Sequence, residues 1–199
     1  MDTIEKTRLA VAITSIALLL GGLFLLGLLA PQPQATINGD TLGRWSGETT
    51  SEYVQRAAQS LDDVDATQPS FALLTFAEPL DNAGMQALLG DPNFPDFTRV
   101  NSLVIGSAAA IDLPEPTADA TRMDVIRQQL GFQGLPVANC VGLVVYAPQE
   151  QLAQAAELEE VLAVQALPSD ARWGAFGIRV NPDYVSPAIV VAPDVAADQ

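Results

Sequence analysis

Acidic side chains are the residues of this 199-residue chain whose spacing comes closest to a known kind of site. Asp63 and Asp65 match the opening of an EF-hand calcium loop. However, Gln68 stands where that loop needs Gly, and Leu74 stands where it needs a bidentate Glu. An EF-hand is therefore excluded, and the pair is interpreted as a solvated helix end with weak, nonspecific affinity for cations.

A second acidic run, Glu157, Glu159 and Glu160, lies at the end of a predicted helix. Such a run could contact a basic partner, although runs of charge also mark ordinary solvated helix faces. We therefore name these three residues as a possible acidic contact and leave both interpretations open.

Residue types that most enzymes need are missing from the chain. It has no His, which removes imidazole metal ligands, the usual general base near neutral pH and nucleophiles that depend on a His partner. The single Cys140 cannot form a disulfide within the chain or a cysteine-rich zinc site. A glycosidase needs two carboxylates facing each other beside sugar-stacking aromatics, and Tyr53 and Trp173 reveal no such platform in the sequence. We predict no enzyme, with no catalytic, cofactor-binding or metal-ligating residues.

The balance of charge argues against nucleic acid as a partner. Asp and Glu number 24 against 9 Lys and Arg, which gives a net charge of -15. A chain with this charge repels phosphate backbones, and no basic patch compensates.

Residues 9–30 form a 22-residue stretch without a charge. A helix of this length spans roughly 33 Å, about the thickness of the hydrocarbon core of a bilayer. A cleaved signal peptide has a shorter apolar region of about 7–15 residues, and Pro31 is a poor context for cleavage. We therefore predict a retained transmembrane helix in contact with the lipid bilayer.

The basic residues near this span predict its orientation. Lys6 and Arg8 precede it, whereas the next basic residue on the other side is Arg44. The positive-inside rule then places residues 1–8 in the cytoplasm and the rest of a single-pass cell-membrane protein outside.

Small residues recur within the span at Ala10, Thr14, Ala17 and Gly21. Steps of four, three and four residues put them on one helical face, where a second transmembrane helix could approach closely. This face is a candidate helix-packing interface with an integral membrane protein. Such residues are also ordinary in membrane helices, and both interpretations stay open.

Beyond the span, the pattern predicts an α/β domain. Pro and Gly interruptions indicate a linker over residues 31–48, followed by an exterior domain over 49–192 and a disordered tail over 193–199. Capping boxes at Thr49 and Thr121 each start a helix, and each helix is followed by a strand, a helix and a strand. Residues 176–180 and 188–191 are candidate edge strands.

A shift of 70 residues aligns these two runs, placing Leu73 on Leu143 and Phe76 on Tyr146. The fold class is therefore predicted as α/β, with two related helix-strand-helix-strand halves that share a sheet.

The whole layout resembles the small single-span envelope proteins of actinobacteria. The chain has eight Arg to one Lys, and the run from Phe71 to Pro79 is followed by an Ala-rich helix. Accessory subunits of the actinobacterial cytochrome bc and cytochrome oxidase respiratory supercomplex are similar in size, single anchor and exterior domain. The resemblance implies a noncatalytic accessory or assembly subunit of a larger membrane complex. The alternatives are a freestanding envelope module that binds a cell-wall or small-molecule ligand and, third, a carboxylate-dependent hydrolase.

Overall fold

The computed structural model describes residues 39–106 and 109–180, together with residue 15. Apart from residue 15, the predicted span 9–30 lies outside the described residues, as do its small-residue stripe, the candidate strand 188–191 and the tail 193–199. None of the helices in the described part has the length and hydropathy that a membrane crossing requires.

The described residues form a mixed α/β fold, which confirms the predicted class at that level. The helices are α1 (Thr50–Asp62), α2 (Asn82–Gly90), α3 (Arg122–Phe132) and α4 (Gln149–Ala156). The strands are β1 (Thr41–Leu42), β2 (Ser70–Leu80), β3 (Arg99–Ile105), β4 (Ala109–Asp112), β5 (Cys140–Ala147), β6 (Val161–Ala166) and β7 (Gly177–Ile178). The order helix, strand, helix, strand therefore occurs twice, and β4 is an additional strand that the sequence pattern did not indicate.

Both predicted capping boxes are present. The Thr49 hydroxyl accepts a hydrogen bond from the Glu52 backbone, and the Glu52 carboxylate accepts one from the Thr49 backbone. Thr121 and Asp124 form the same reciprocal pair at the start of α3. Helix starts were predictable because each signal lies within three residues of sequence.

The main sheet has five strands in the order β4-β3-β5-β2-β6, and every neighbouring pair is antiparallel. Because β2 and β3 are both antiparallel to β5, they run in the same direction with β5 between them. By the same argument β5 and β6 are parallel, with β2 between them. The sheet thus consists of two interleaved split β-α-β units, with the β4 strand added at one edge.

The two faces of the sheet are covered by different parts of the chain. Helices α2, α3 and α4 pack on one face, in a core that includes Leu74, Leu103 and Leu143. On the other face, Leu73 and Val144 pack with Leu42 from the N-terminal flank and with residues of the C-terminal flank. Part of the predicted linker therefore belongs to the domain, because Leu42 is fully buried and β1 pairs with β7.

Two further boundaries differ from the sequence pattern. Helix α4 ends at Ala156, whereas the pattern extended it to Glu160. A run of acidic residues is unfavourable at the negative end of the helix dipole, and here it occupies the turn that leads into β6. The candidate edge strand at 176–180 is present only as β7, which pairs with β1 and not with the main sheet.

Candidate functional site

The candidate site is built around a bulge in β3. Val100 pairs with Val145 of β5 and Ser102 pairs with Val144, so Asn101 is the extra residue between two consecutive pairs. Its backbone carbonyl accepts a 2.8 Å hydrogen bond from the Leu113 amide. This bond ties the bulge to the segment that follows β4.

The side chain of Asn101 is buried but incompletely partnered. The residue is only 7% exposed. Its Oδ1 atom has no hydrogen-bond partner within the part of the chain that the structure describes. A buried acceptor without a partner costs about 1–3 kcal/mol, so most proteins avoid one. The unpartnered oxygen therefore needs a physical explanation.

Asn101 also forms part of the wall of a cavity of about 460 Å³. The other polar residues of the wall are Arg99, Asp112, Glu115 and Gln129. Trp173 and the Leu113–Pro114 turn complete it. This volume lies within the range of about 300–1,000 Å³ that is usual for small-ligand sites.

The two carboxylates in the cavity wall differ: Glu115 is paired with arginines, whereas Asp112 forms no salt bridge with a described residue. The Glu115 carboxylate lies 2.6 Å from the Arg122 guanidinium and 3.7 Å from that of Arg99. Arg122 also donates to the Pro114 carbonyl at 3.0 Å, which holds the loop in place. Asp112 accepts a 3.0 Å hydrogen bond from the hydroxyl of Ser102, its partner across the β3–β4 pair.

An aromatic cluster supports the Trp173 side of the cavity. The Phe71 ring lies 4.7 Å from Tyr146, 5.6 Å from Trp173 and 5.3 Å from Phe176, measured between ring centroids. Trp173 also meets Phe176 edge to face at 5.7 Å. The indole is thus held by two neighbouring rings while 41% of Trp173 stays exposed.

A second buried amide side chain in the same sheet, that of Gln165, has hydrogen-bond partners for both its oxygen and its nitrogen. Gln165 of β6 is 4% exposed. Its Oε1 accepts a 2.8 Å hydrogen bond from the Gly43 amide, and its Nε2 donates to the Thr41 carbonyl at 3.1 Å. At Gln165 the N-terminal flank supplies the partners. No described segment does the same for Asn101 Oδ1.

The predicted acidic contact lies in a different place. Glu157, Glu159 and Glu160 line a separate cavity of about 430 Å³ with Asp91 and Asn93. The structure therefore brings the three glutamates together, and no Lys or Arg of the described chain is among the residues that line this cavity. A basic partner for them stays a prediction. The other predicted interface, Ala10, Thr14, Ala17 and Gly21, lies outside the described residues.

Three other ionisable groups have shifted pKa values that keep each in its ordinary charge state at neutral pH. Burial raises the pKa of the Cys140 thiol to about 11, and the nearby charge of Asp81 adds to this, so the thiol stays protonated at neutral pH. Burial likewise raises the pKa of Tyr53 to about 12. The hydroxyl and backbone amide of Thr121 lower the pKa of Asp124, which is the wrong direction for a general acid. Within the described residues, no three His, Cys, Asp or Glu side chains are grouped as metal ligands.

Sequence reasoning missed both Asn101 and the position of Trp173. The available signal was the polar pair Asn101–Ser102 inside an otherwise apolar strand. The sequence shows no platform at Trp173, because Phe71, one of the two rings beside it, comes from a distant strand.

Comparisons with protein-family models, with curated proteins and with solved structures gave no match to this chain.

Proposed function

We propose that this chain is a noncatalytic binding module that takes a small polar ligand in the cavity beside Asn101. The observation that carries the proposal is that Asn101, whose Oδ1 is buried and unpartnered, belongs to the wall of that cavity. A small rotation of the Asn101 side chain would bring this oxygen to a ligand donor, and the new hydrogen bond would offset the cost of the unpartnered state. The predicted anchor at residues 9–30 would hold the module at the exterior face of a membrane.

Thermal unfolding tests this function. The small-molecule fraction of a cell extract should raise the unfolding temperature of the full chain, because a ligand that binds only the folded state stabilises it. The Asn101→Leu variant should show a much smaller rise. An equal rise in both proteins, or none in either, would contradict the proposal.

A second candidate function is the accessory or assembly subunit of a larger membrane complex. It is favoured by Phe132, which is 73% exposed at the C-terminal end of α3. Leu135, which is 37% exposed, follows it in the same turn region. Aromatic residues such as Phe132 are enriched in protein contacts.

Purification in a mild detergent tests the second candidate. Stoichiometric recovery with a respiratory complex, identified by mass spectrometry and a haem spectrum, would support it. Phe132→Ser should then reduce recovery, and so should the double change Ala17→Leu and Gly21→Leu if the small-residue face packs on a partner helix. Recovery of the chain alone would count against this function and leave the binding module in place.

We also propose that the two halves of the domain are related, because the order helix, strand, helix, strand occurs twice and the first strands of the two halves, β2 and β5, are central neighbours in the sheet. The shift of 70 residues does not align these strands correctly, since Leu73 packs on the face covered by the flanks and Leu143 on the face covered by the helices. Equivalent strands beside a pseudo-twofold axis are what a duplicated split β-α-β unit would produce.

A further inference from the structure

We infer that the ligand of the Asn101 cavity is a neutral sugar whose ring packs on Trp173, an inference that rests on the proposed binding function. Three properties of the cavity support it: the presence of charges of both signs in its wall, the hydrogen-bonding capacity of that wall and the exposed indole.

The cavity wall carries charges of both signs. Arg99 is positive, Asp112 and Glu115 are negative, and Arg122 lies behind Glu115. Glu115 is already paired with both arginines. An anion that bound Arg99 would have to displace Glu115 and would also be repelled by Asp112. A cation that bound Asp112 would be repelled by Arg99 in the same wall, whereas a neutral ligand leaves the ion pairs intact.

The polar wall matches groups that both donate and accept hydrogen bonds. Asn101 Oδ1 requires a donor, and the Asp112 carboxylate offers further acceptor sites beyond the one that Ser102 uses. Arg99 is a donor, and the Gln129 amide can act in either role. A hydroxyl group donates and accepts at the same time, so neighbouring hydroxyls on one ring can satisfy several of these side chains together.

Trp173 provides the apolar surface that a sugar ring needs. One face of a pyranose ring presents mainly C–H groups, which pack on the flat surface of an aromatic side chain. The contacts of Trp173 with Phe71 and Phe176 hold the indole in place before the ligand arrives. A preorganised side chain loses little entropy on binding.

The two tryptophans of the chain allow a direct test by fluorescence. Trp45→Phe leaves Trp173 as the sole tryptophan, and Trp173→Phe leaves only Trp45, which lies over the Arg56 guanidinium and lines a different cavity. Each full-length variant is purified in a polyoxyethylene detergent, because detergents with sugar head groups would compete. The probes are maltose and N,N′-diacetylchitobiose, with glycine betaine and inorganic phosphate as charged controls.

We expect a saturable change in Trp173 fluorescence with at least one of the two sugars, at about millimolar concentrations, which is usual for a weak site. The Trp45 signal should not change. Asn101→Leu in the Trp45→Phe background should weaken the affinity about tenfold or more. Circular dichroism checks that each variant is folded.

The outcomes separate the two proposals. A response to glycine betaine or phosphate alone would overturn the inference of a neutral sugar and leave a binding module. A sugar response that is equal in both single-tryptophan proteins would place binding elsewhere and overturn the inference. No response to any probe would overturn the inference as well, and the unfolding experiment with cell extract then decides separately whether the cavity binds a different ligand.

Discussion

At the scale of single residues, the contrast between Asn101 and Gln165 is the most informative feature of this protein. Both are amides buried in strands of the same sheet, Asn101 in β3 and Gln165 in the edge strand β6. The chain itself satisfies Gln165 through Thr41 and Gly43. It leaves the oxygen of Asn101 without a partner beside a cavity. A buried polar group that costs stability is more easily understood as part of a binding site than as part of the core.

Replacing each amide with Leu should therefore have opposite effects. Asn101→Leu removes an unsatisfied acceptor at similar volume, so we expect the free energy of unfolding to stay equal or to rise by about 1 kcal/mol while binding is lost. Gln165→Leu leaves the buried Gly43 amide and the Thr41 carbonyl without hydrogen-bond partners. We therefore expect it to lower the free energy of unfolding by about 2 kcal/mol. Thermal unfolding followed by circular dichroism measures both. A larger loss for Asn101→Leu than for Gln165→Leu would show that Asn101 is structural.

At the scale of elements, the helices begin where local hydrogen bonds dictate. In α3, Thr121 and Asp124 satisfy each other's backbone amides. The side-chain and backbone hydrogen bonds from Thr121 stabilise the ionised carboxylate and lower the pKa of Asp124. The cap thus links helix stability to pH.

Thr121→Ala should reduce the free energy of unfolding by about 1 kcal/mol at pH 7, because it removes the side-chain cap. Thr117→Ala, at an exposed Thr shortly before the helix, is the control and should change stability by less than about 0.5 kcal/mol.

The pH dependence of this effect has a definite sign. A carboxyl group with a lowered folded-state pKa stabilises the protein above its ordinary pKa of about 3.8, and that contribution is lost as pH falls through the folded value. The difference between the wild type and Thr121→Ala should therefore shrink below about pH 4. Unfolding measured from pH 7 to pH 2.5 checks this, and a difference that grows in acid would contradict the assignment.

At the scale of the whole molecule, the two flanks of the domain close one face of the sheet. Thr41 and Leu42 pair in parallel with Gly177 and Ile178. Phe176 and Ile178 pack on the cluster that contains Leu73 and Val144. Residues from both ends of the domain are thus required to cover apolar surface that the strands alone would expose.

Truncation after Leu167 should expose this cluster and lower the free energy of unfolding by about 2–4 kcal/mol, from the apolar area that Phe176 and Ile178 no longer bury. Truncation after Val180 leaves every contact described here in place and is the matched control. Unfolding of the two truncated chains is compared with that of the full chain. Equal stability of the two truncated chains would show that the C-terminal flank contributes little to the free energy of unfolding.

The orientation of the whole chain has its own test. Lys6 and Arg8 precede the apolar stretch, and the positive-inside rule then places the C-terminus outside. A C-terminal alkaline phosphatase fusion should be active, since that enzyme folds only in an oxidising exterior. An inactive fusion, with fluorescence from a matching cytoplasmic reporter, would reverse the topology. It would also remove the exterior setting of the proposed ligand.

The sequence by itself determined the features that depend on neighbouring residues. Thr49 with Glu52 and Thr121 with Asp124 marked two helix starts, because a capping box needs only three residues of sequence. Alternating helices and strands were visible for the same reason, since apolar periodicity is local. The composition, without His and with one Cys, excluded most familiar chemistry before any contact was known.

Only the tertiary structure decided which distant residues meet. The interleaved strand order places Arg99 opposite Tyr146 and Tyr146 opposite Phe71, and the C-terminal flank then brings Trp173 against Phe71. None of these contacts has a local signal, because strand pairing depends on the free energy of burying both faces of a sheet and not on spacing along the chain. The bulge at Asn101 likewise exists only relative to β5. The candidate site is therefore a product of packing, assembled from residues that look unrelated in the sequence.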